Sequence, residues 1–388
     1  MKITEIISKK LNKITYITYQ VFPNEKANTI QTMRMLQSMN MFIKDTKLIF
    51  PDRGKFNKKI DDIKKFYEIE ENFDIEKFPH RLPFNRINMK RFEKYNFIIS
   101  SFIWSFKTIK KYSKSISNQE IIMTRTHWVL YFASSGKNKV IYECHKFSKI
   151  DNLVFKKLAK KNNVILIFPN ESLRKEFHLS DKLLNNSIIL ESAFEEKMFS
   201  AADIKKTKNK ILFVGNLLRF NKSRNLEFLI NAFHDKRLQD FKLLIIGGPE
   251  EIVHKLKGSL SSNTIMMGRR FQKEAINEML SSEIGLLINE SKDTHSVNHT
   301  SPIKYFEYLR GGLKVVAVDF PSHRNLPLGE NNFYFKENDT EDFIEKILMA
   351  SQSKFISNSN LKNYSYKSRT KKLLNHIARL EGLEPPTL

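Results

Sequence analysis

The segment Thr300–Pro321, TSPIKYFEYLRGGLKVVAVDFP, holds the residue types and spacing best suited to chemistry. Ser301 is a good N-cap, Pro302 suits a first helical position, and Gly311 and Gly312 stop the helix ahead of an apolar strand. Lys304 and Glu307 stand three residues apart and therefore share one side of that helix. The amino end of a helix presents free N–H groups and the positive end of its dipole, so it favours an anion such as phosphate. Lys304 adds charge there. Glu307, one turn further on, can accept hydrogen bonds from sugar hydroxyls. Without a ligand, the same two residues make an ordinary surface ion pair.

Groups of this kind need buried strands to hold them. Short apolar runs occur at Ile14–Tyr19, Lys47–Phe50, Phe97–Ser100, Ile121–Thr124, Val140–Glu143, Val164–Phe168 and Ser187–Leu190. A second series occupies Ile211–Val214, Lys242–Ile246, Thr264–Met267, Ile284–Ile288 and Lys314–Val318. Strands apolar along their length and alternating with helices predict parallel sheets covered on both faces, an α/β fold, doubly wound, in two copies. The expected division is a first domain over 1–195, with 52–96 as an insertion of helices and loops. A solvated lysine-rich linker over 196–209, a second domain over 210–363, a last helix over 364–380 and a tail over 381–388 follow. Arg125 and the stretch Tyr142–His145 fall at carboxyl ends of predicted strands, where open α/β sheets bind ligands.

Charge bounds the partners. The 66 Lys and Arg against 42 Asp and Glu leave +24 at pH 7, and residues 1–200 carry +16 of it. An excess of that size suits nucleic acid, an anionic membrane or phosphorylated ligands. The joint richness in Lys, Asn, Ile and Phe is also what a codon bias without function produces. Nucleic acid is set aside, because no recognition module occurs and the aromatics follow core patterns. Lys107, Lys110, Lys111 and Lys114 form a stripe along a predicted helix beside Phe102, Trp104 and Phe106. That arrangement suits an anionic headgroup layer, or a solvated helix face over a core. The single Cys144 excludes an intramolecular disulfide and a cysteine zinc cage, and with no Asp-x-Asp triplet and scattered histidines no metal site is expected. Neither a dinucleotide fingerprint nor a phosphate-loop motif occurs, which disfavours dehydrogenases and NTPases. No run of about 18 apolar residues and no signal-peptide core is present, so a cytoplasmic protein resting at most on the inner face of the cytoplasmic membrane is expected.

The motif over Thr300–Pro321 resembles the donor-binding helix of bacterial retaining glycosyltransferases with the GT-B fold, family 4 (group 1) type. The resemblance implies two Rossmann-like domains facing a cleft, with a nucleotide-sugar donor on the second. The acceptor, a cell-surface polysaccharide or lipid-linked glycan, would lie on the first, with no metal and no cofactor beyond the donor. It implies that Glu307 holds ribose hydroxyls, helped by Lys304 and Ser301. ILFVGNL, with Gly215, resembles the turn that opens the family's second domain, and Arg219, Lys222 or Arg224 would then grip the diphosphate. NTIMMGR resembles the strand that brings Gly268 close to the base, with Arg269 either stacking on the base or closing the turn. On the first domain, FPNEKANTIQTM resembles the start of the family's first helix, with Asn28 and Thr29 as donors or caps. His145 inherits a place near the transferred sugar. YSYKSRTKKLLNHI, from Tyr364, resembles a closing helix that returns to the first domain. Many members carry a glutamate eight positions before the one matched by Glu307; His299 stands there, and either it or Glu290 takes that place. A sugar-nucleotide 2-epimerase of similar fold is the alternative.

Overall fold

The computed structural model describes residues 12–24, 26–52, 60–71, 73–80, 93–117, 120–200, 204–219 and 222–382. The chain divides into two compact units, Met1–Leu190 with Tyr366–Leu388, and Glu191–Ser365.

The first unit is built on β1 (Lys13–Ile17), β2 (Asp45–Asp52), β3 (Asp74–Pro79), β4 (Glu120–Thr124), β5 (Val140–Glu143), β6 (Val164–Phe168) and β7 (Ser187–Ile189). These pair in the order β3-β2-β1-β4-β5-β6-β7, all parallel. Ile14, Ile121, Val140, Val164 and their neighbours are buried, as strands covered on both faces require. Three helices matter below: α1 (Ala27–Asn40), α2 (Glu93–Tyr112) and α3 (His127–Ala133).

The second unit carries β8 (Lys210–Val214), the antiparallel pair β9 (Leu218–Arg219) and β10 (Lys222–Ser223), β11 (Lys242–Ile246), β12 (Thr264–Gly268), β13 (Ile284–Leu287), β14 (Lys314–Val318) and β15 (Asn332–Phe335). Its main sheet runs β12-β11-β8-β13-β14-β15, again parallel throughout. The helix of the Lys304 motif is α4 (Ile303–Arg310). The chain then supplies α5 (Tyr366–Leu380), which belongs to the first unit and buries Leu373, Leu374 and Ile377.

Two stretches differ from the sequence-based expectation. Phe97–Ser100 is helical, inside the 20-residue α2. Its apolar run continues at helical spacing through Trp104, Thr108 and Tyr112, which are buried, and a short apolar run alone does not separate strand from helix. Within 52–96, β3 is a strand of the same sheet, paired with β2 from Lys47↔Asp74 to Asp52↔Pro79. Its charged residues Asp74, Glu76 and Lys77 hid it, since an edge strand tolerates them. Likewise β15 closes the far edge of the second sheet.

The lysine-rich linker is corrected at Lys206. Its ammonium donates to the carbonyls of Met279 (3.4 Å), Ser282 (2.5 Å) and Gly311 (2.6 Å). These are carboxyl-end carbonyls of two helices, one of them α4, where a cation complements both dipoles. Burial pulls the Lys206 amine down to about 8.

At the centre of the first unit lies a buried carboxylate. Glu143, the last residue of β5, accepts from Tyr16 Oη (2.9 Å), Arg125 Nε (2.9 Å) and Arg369 Nη2 of α5 (2.9 Å). Burial works to raise its pKa, yet the two guanidiniums together hold it far below its ordinary value of 4.5. The unfolded chain therefore takes up a proton near pH 4.5 that the folded chain refuses. The stability contributed is full above that pH and is lost as pH falls toward the lowered value. Glu143→Gln is expected to lower the unfolding free energy by about 3 kcal/mol at pH 7, because it leaves two buried guanidiniums short of a counter-charge. Denaturant melts should show the gap between variant and wild type narrowing below pH 4.5; a gap that stays constant with pH would contradict the account.

Candidate functional site

In the second unit the turns after β8, β11 and β12 converge. Gly215 N–H, following β8, bonds the Ile246 carbonyl (3.0 Å), and Gly247 N–H, following β11, bonds that of Gly268 (2.9 Å). A Cβ on Gly247 would collide with the Gly215 carbonyl oxygen, so only glycine lets the two backbones approach this closely. Gly268 has φ +67°, a conformation that favours glycine, and a side chain there would also strike the Glu250 carboxylate. The turns are thus close-packed, with Arg224, Arg269 and Glu250 filling the space that side chains on Gly215, Gly248 and Gly268 would take.

Cations border these turns. Arg224 Nη1 lies 2.8 Å from where a Cβ on Gly215 would stand. Arg269 follows β12, drapes its side chain over Gly248, and its N–H bonds Glu250 Oε1 (3.1 Å). Of the three basic residues read after Gly215, Arg224 is therefore the one whose side chain the structure sets at the turn. The backbones of Arg219 and Lys222 pair across the β9–β10 ladder, and their side chains lie outside the described residues.

Helix α4 approaches the same strand ends. Glu307 is only 2% exposed; Lys304 Nζ bonds its Oε2, and Gln272 Nε2, just past the β12 turn, lies 3.5 Å from Oε1. The pair is therefore a buried, braced carboxylate, with the Lys304 side chain 28% exposed. Next to it, Tyr308 Oη accepts the Val214 N–H at the end of β8 (3.0 Å), and its ring covers Gly285 of β13. Burial raises the Tyr308 pKa, so the hydroxyl stays neutral. Gln272 and Tyr308 were not singled out from sequence. Gln272 sits in no motif; Tyr308 carried one signal, its place beside Glu307 at a helix position that must face the sheet.

Ser301 does not cap α4, which starts at Ile303 with Pro302 at the N-cap and no side-chain cap. Its hydroxyl instead accepts the Ser192 N–H (3.0 Å), and its carbonyl accepts from Ser192 Oγ (2.6 Å). Those bonds fix the segment ahead of α4 and remove Ser301 from the expected role at the helix end. His299 is buried just after the short helix Thr294–Asn298, its ring 6.1 Å from that of His295. Glu290 pairs with Lys292 at 3.5 Å.

In the first unit, His145 stands two residues past β5, and Arg125 directly follows β4. Both therefore sit at strand ends, grouped around Glu143. Lys107, Lys110 and Lys111 are exposed on α2, while Lys114 lies beyond the helix end at Tyr112. Trp104, read as flanking the lysine stripe, is buried in the core instead.

Comparison with known proteins accords with this geometry. Residues 208–353 match the model of the family described as glycosyl transferases group 1. No curated protein matches the sequence. Among solved structures, the chain is similar to the trehalose-6-phosphate synthase OtsA at 12% identity, covering 96% of each chain with a TM-score of 0.62. It is similar to the lipopolysaccharide outer core galactosyltransferase WaaB at 11% identity, over 95% of this chain and 99% of that one, with a TM-score of 0.60. A mutant of S. aureus TarM in complex with fondaparinux, α-GlcNAc-glycerol and UDP is similar at 11% identity, over 96% and 98%, with a TM-score of 0.59. Residues 208–353 thus match the family described as glycosyl transferases group 1, and the two parallel sheets share the fold of these solved structures.

Proposed function

We propose that the protein moves a sugar from a nucleotide-sugar to a hydroxyl of a cell-surface polysaccharide or lipid-linked glycan, with retention of anomeric configuration and without a metal. The observation that carries this reading is Glu307, buried and braced by Lys304 and Gln272. A carboxylate so held keeps lone pairs for a vicinal diol, which is what a ribose presents. Gly215, Gly268 and Arg269 border the space for the base and phosphates. The names of the similar proteins lend support: the TarM mutant was solved with UDP, and WaaB acts in the lipopolysaccharide outer core.

In the transfer, the bond from the anomeric carbon to the diphosphate oxygen breaks while the bond to the acceptor oxygen forms on the same face. The acceptor proton passes to the departing diphosphate oxygen. Arg224, with Arg219 or Lys222, is assigned to the charge that develops there, which fixed cations stabilise more in the transition state than in the ground state. His145 is assigned to the transferred sugar, His299 to the donor's sugar side, and Arg125 to the acceptor.

A membrane-bound acceptor is supported by the outer face of α2. Tyr95, Ile99, Phe102 and Phe106 recur at helical spacing and are 64%, 56%, 40% and 46% exposed, and Tyr131 of α3 extends the patch. Residues 94–119 contain no Asp or Glu, while Lys107, Lys110, Lys111 and Lys114 rim the apolar stripe. Exposed aromatics beside unopposed lysines suit an anionic headgroup layer, at about 1 kcal/mol per lysine. Among the described residues no helix is long and apolar enough to cross a membrane. The reading is a peripheral protein on the inner face of the cytoplasmic membrane.

Two outcomes are expected. Calorimetric titration should show UDP binding that Glu307→Ala weakens ten- to a hundredfold, since hydrogen bonds to a charged group contribute about 1.5–3 kcal/mol; full UDP affinity in that variant would remove Glu307 from the donor site. In flotation assays the protein should bind phosphatidylglycerol vesicles more than phosphatidylcholine vesicles. The double variant Phe102→Ser, Phe106→Ser should release it at every salt concentration, and equal binding by variant and wild type would sink the membrane face.

A further inference from the structure

The sheet of the second unit reverses its strand order between β8 and β13, and open α/β sheets bind ligands outside the carboxyl ends of their strands at such a reversal. Glu307 stands there. Gln272 Nε2, 3.5 Å from its Oε1, ties that carboxylate to the segment that follows β12. A nucleobase is bonded directly to its ribose, so a ribose held by Glu307 carries its base to the groups around this segment. What those groups can bond therefore bears on which base the site takes.

The segment opens with Gly268 and Arg269, and the side chain set against them is a second carboxylate. Glu250 begins the short helix Glu250–Leu256 that follows β11. Its Oε1 and Oε2 lie 2.5 and 3.0 Å from where a Cβ on Gly268 would stand, and Oε1 accepts the Arg269 N–H (3.1 Å). Glu250 is exposed, and it enters no ion pair among the described residues. An ionised carboxylate accepts hydrogen bonds and donates none, and a single bond to Arg269 leaves lone pairs on both oxygens.

The bases differ in what they offer such a group. Guanine presents N1–H and its N2 amino group side by side, two donors that match the two oxygens of one carboxylate. Uracil and thymine present one N–H flanked by two carbonyl oxygens, which a carboxylate repels. Cytosine and adenine each set a single amino group beside an acceptor nitrogen.

We infer that Glu250 selects guanine, which makes the donor a GDP-sugar and Glu250 a specificity-determining residue. The inference rests on the donor reading of Glu307 and adds the identity of the base to it. UDP shares the ribose and the diphosphate, so it still binds through Glu307, but it lacks the paired bonds at the base.

The test is calorimetric titration of GDP, UDP, ADP and CDP into the full-length protein at equal ionic strength. GDP is expected to bind about tenfold tighter than each of the others or more, the discrimination that a bidentate pair to a base supplies. Glu250→Gln keeps an oxygen for the Arg269 N–H but puts an amide donor where guanine needs a second acceptor. This variant is expected to lose the preference through weaker GDP binding. Its UDP affinity and melting temperature should stay at wild-type values, which separates base selection from misfolding. GDP bound no tighter than UDP by wild type, or a GDP preference that survives in Glu250→Gln, overturns the inference. Binding of all four nucleotides alike removes guanine selection and leaves Glu307 its role. If none of the four binds, the donor reading itself fails and guanine selection falls with it.

Discussion

The Tyr308 side chain is the constraint on which the second unit's site depends. Its ring occupies the space left by Gly285, and its hydroxyl takes the N–H of Val214, the last residue of β8. One aromatic residue thereby fixes α4 against two adjacent strands at the point where the sheet changes direction. Glu307, its chain neighbour, is then held at the same strand ends as Gly215. A buried carboxylate is costly unless paired, and Lys304 and Gln272 provide the partners that let it persist there. From the other end of the helix, Lys206 closes the Gly311 carbonyl, so α4 is pinned at both ends.

The first unit solves a related problem differently. Its buried charge is not on a helix facing a turn but at a strand end, and three donors from β1, β4 and α5 converge on it. Glu143 is therefore a joint between elements remote in sequence. The two units share a parallel-sheet architecture and place charged groups at strand ends, yet one braces a carboxylate with a neighbouring lysine and the other with arginines far along the chain.

Much of this was readable from residues alone, where local rules were unopposed. Val164–Phe168 is apolar over its length, Val140–Glu143 and Lys314–Val318 are apolar but for one charged end residue each, and all three are buried parallel strands. The Lys304–Glu307 pair followed from helical spacing. Failures came where tertiary context decided. β3 alternates charge because it lies at an edge, and Phe97–Ser100 is apolar on more than one side because part of α2's apolar surface faces outward. Ser301 has the chemistry of a cap, but a competing N–H from Ser192 claimed its oxygen. Lys206 looked solvated within a lysine-rich run, and no periodicity could show three carbonyls waiting for it. No motif announces the Arg369–Glu143 bond either, since its partners lie 226 residues apart.

That last bond has a consequence for how the protein is made. A ribosome releases β1 to β7 long before α5, with the whole second unit synthesised in between. Until Arg369 emerges, one of the two guanidiniums that hold Glu143 is missing, and the surface of α1 that meets α5, including Ser38 opposite Thr370, stays uncovered. Domains usually complete themselves in the order of synthesis. Here the first to begin is the last to finish, and full maturation of the first unit waits on the arrival of the second.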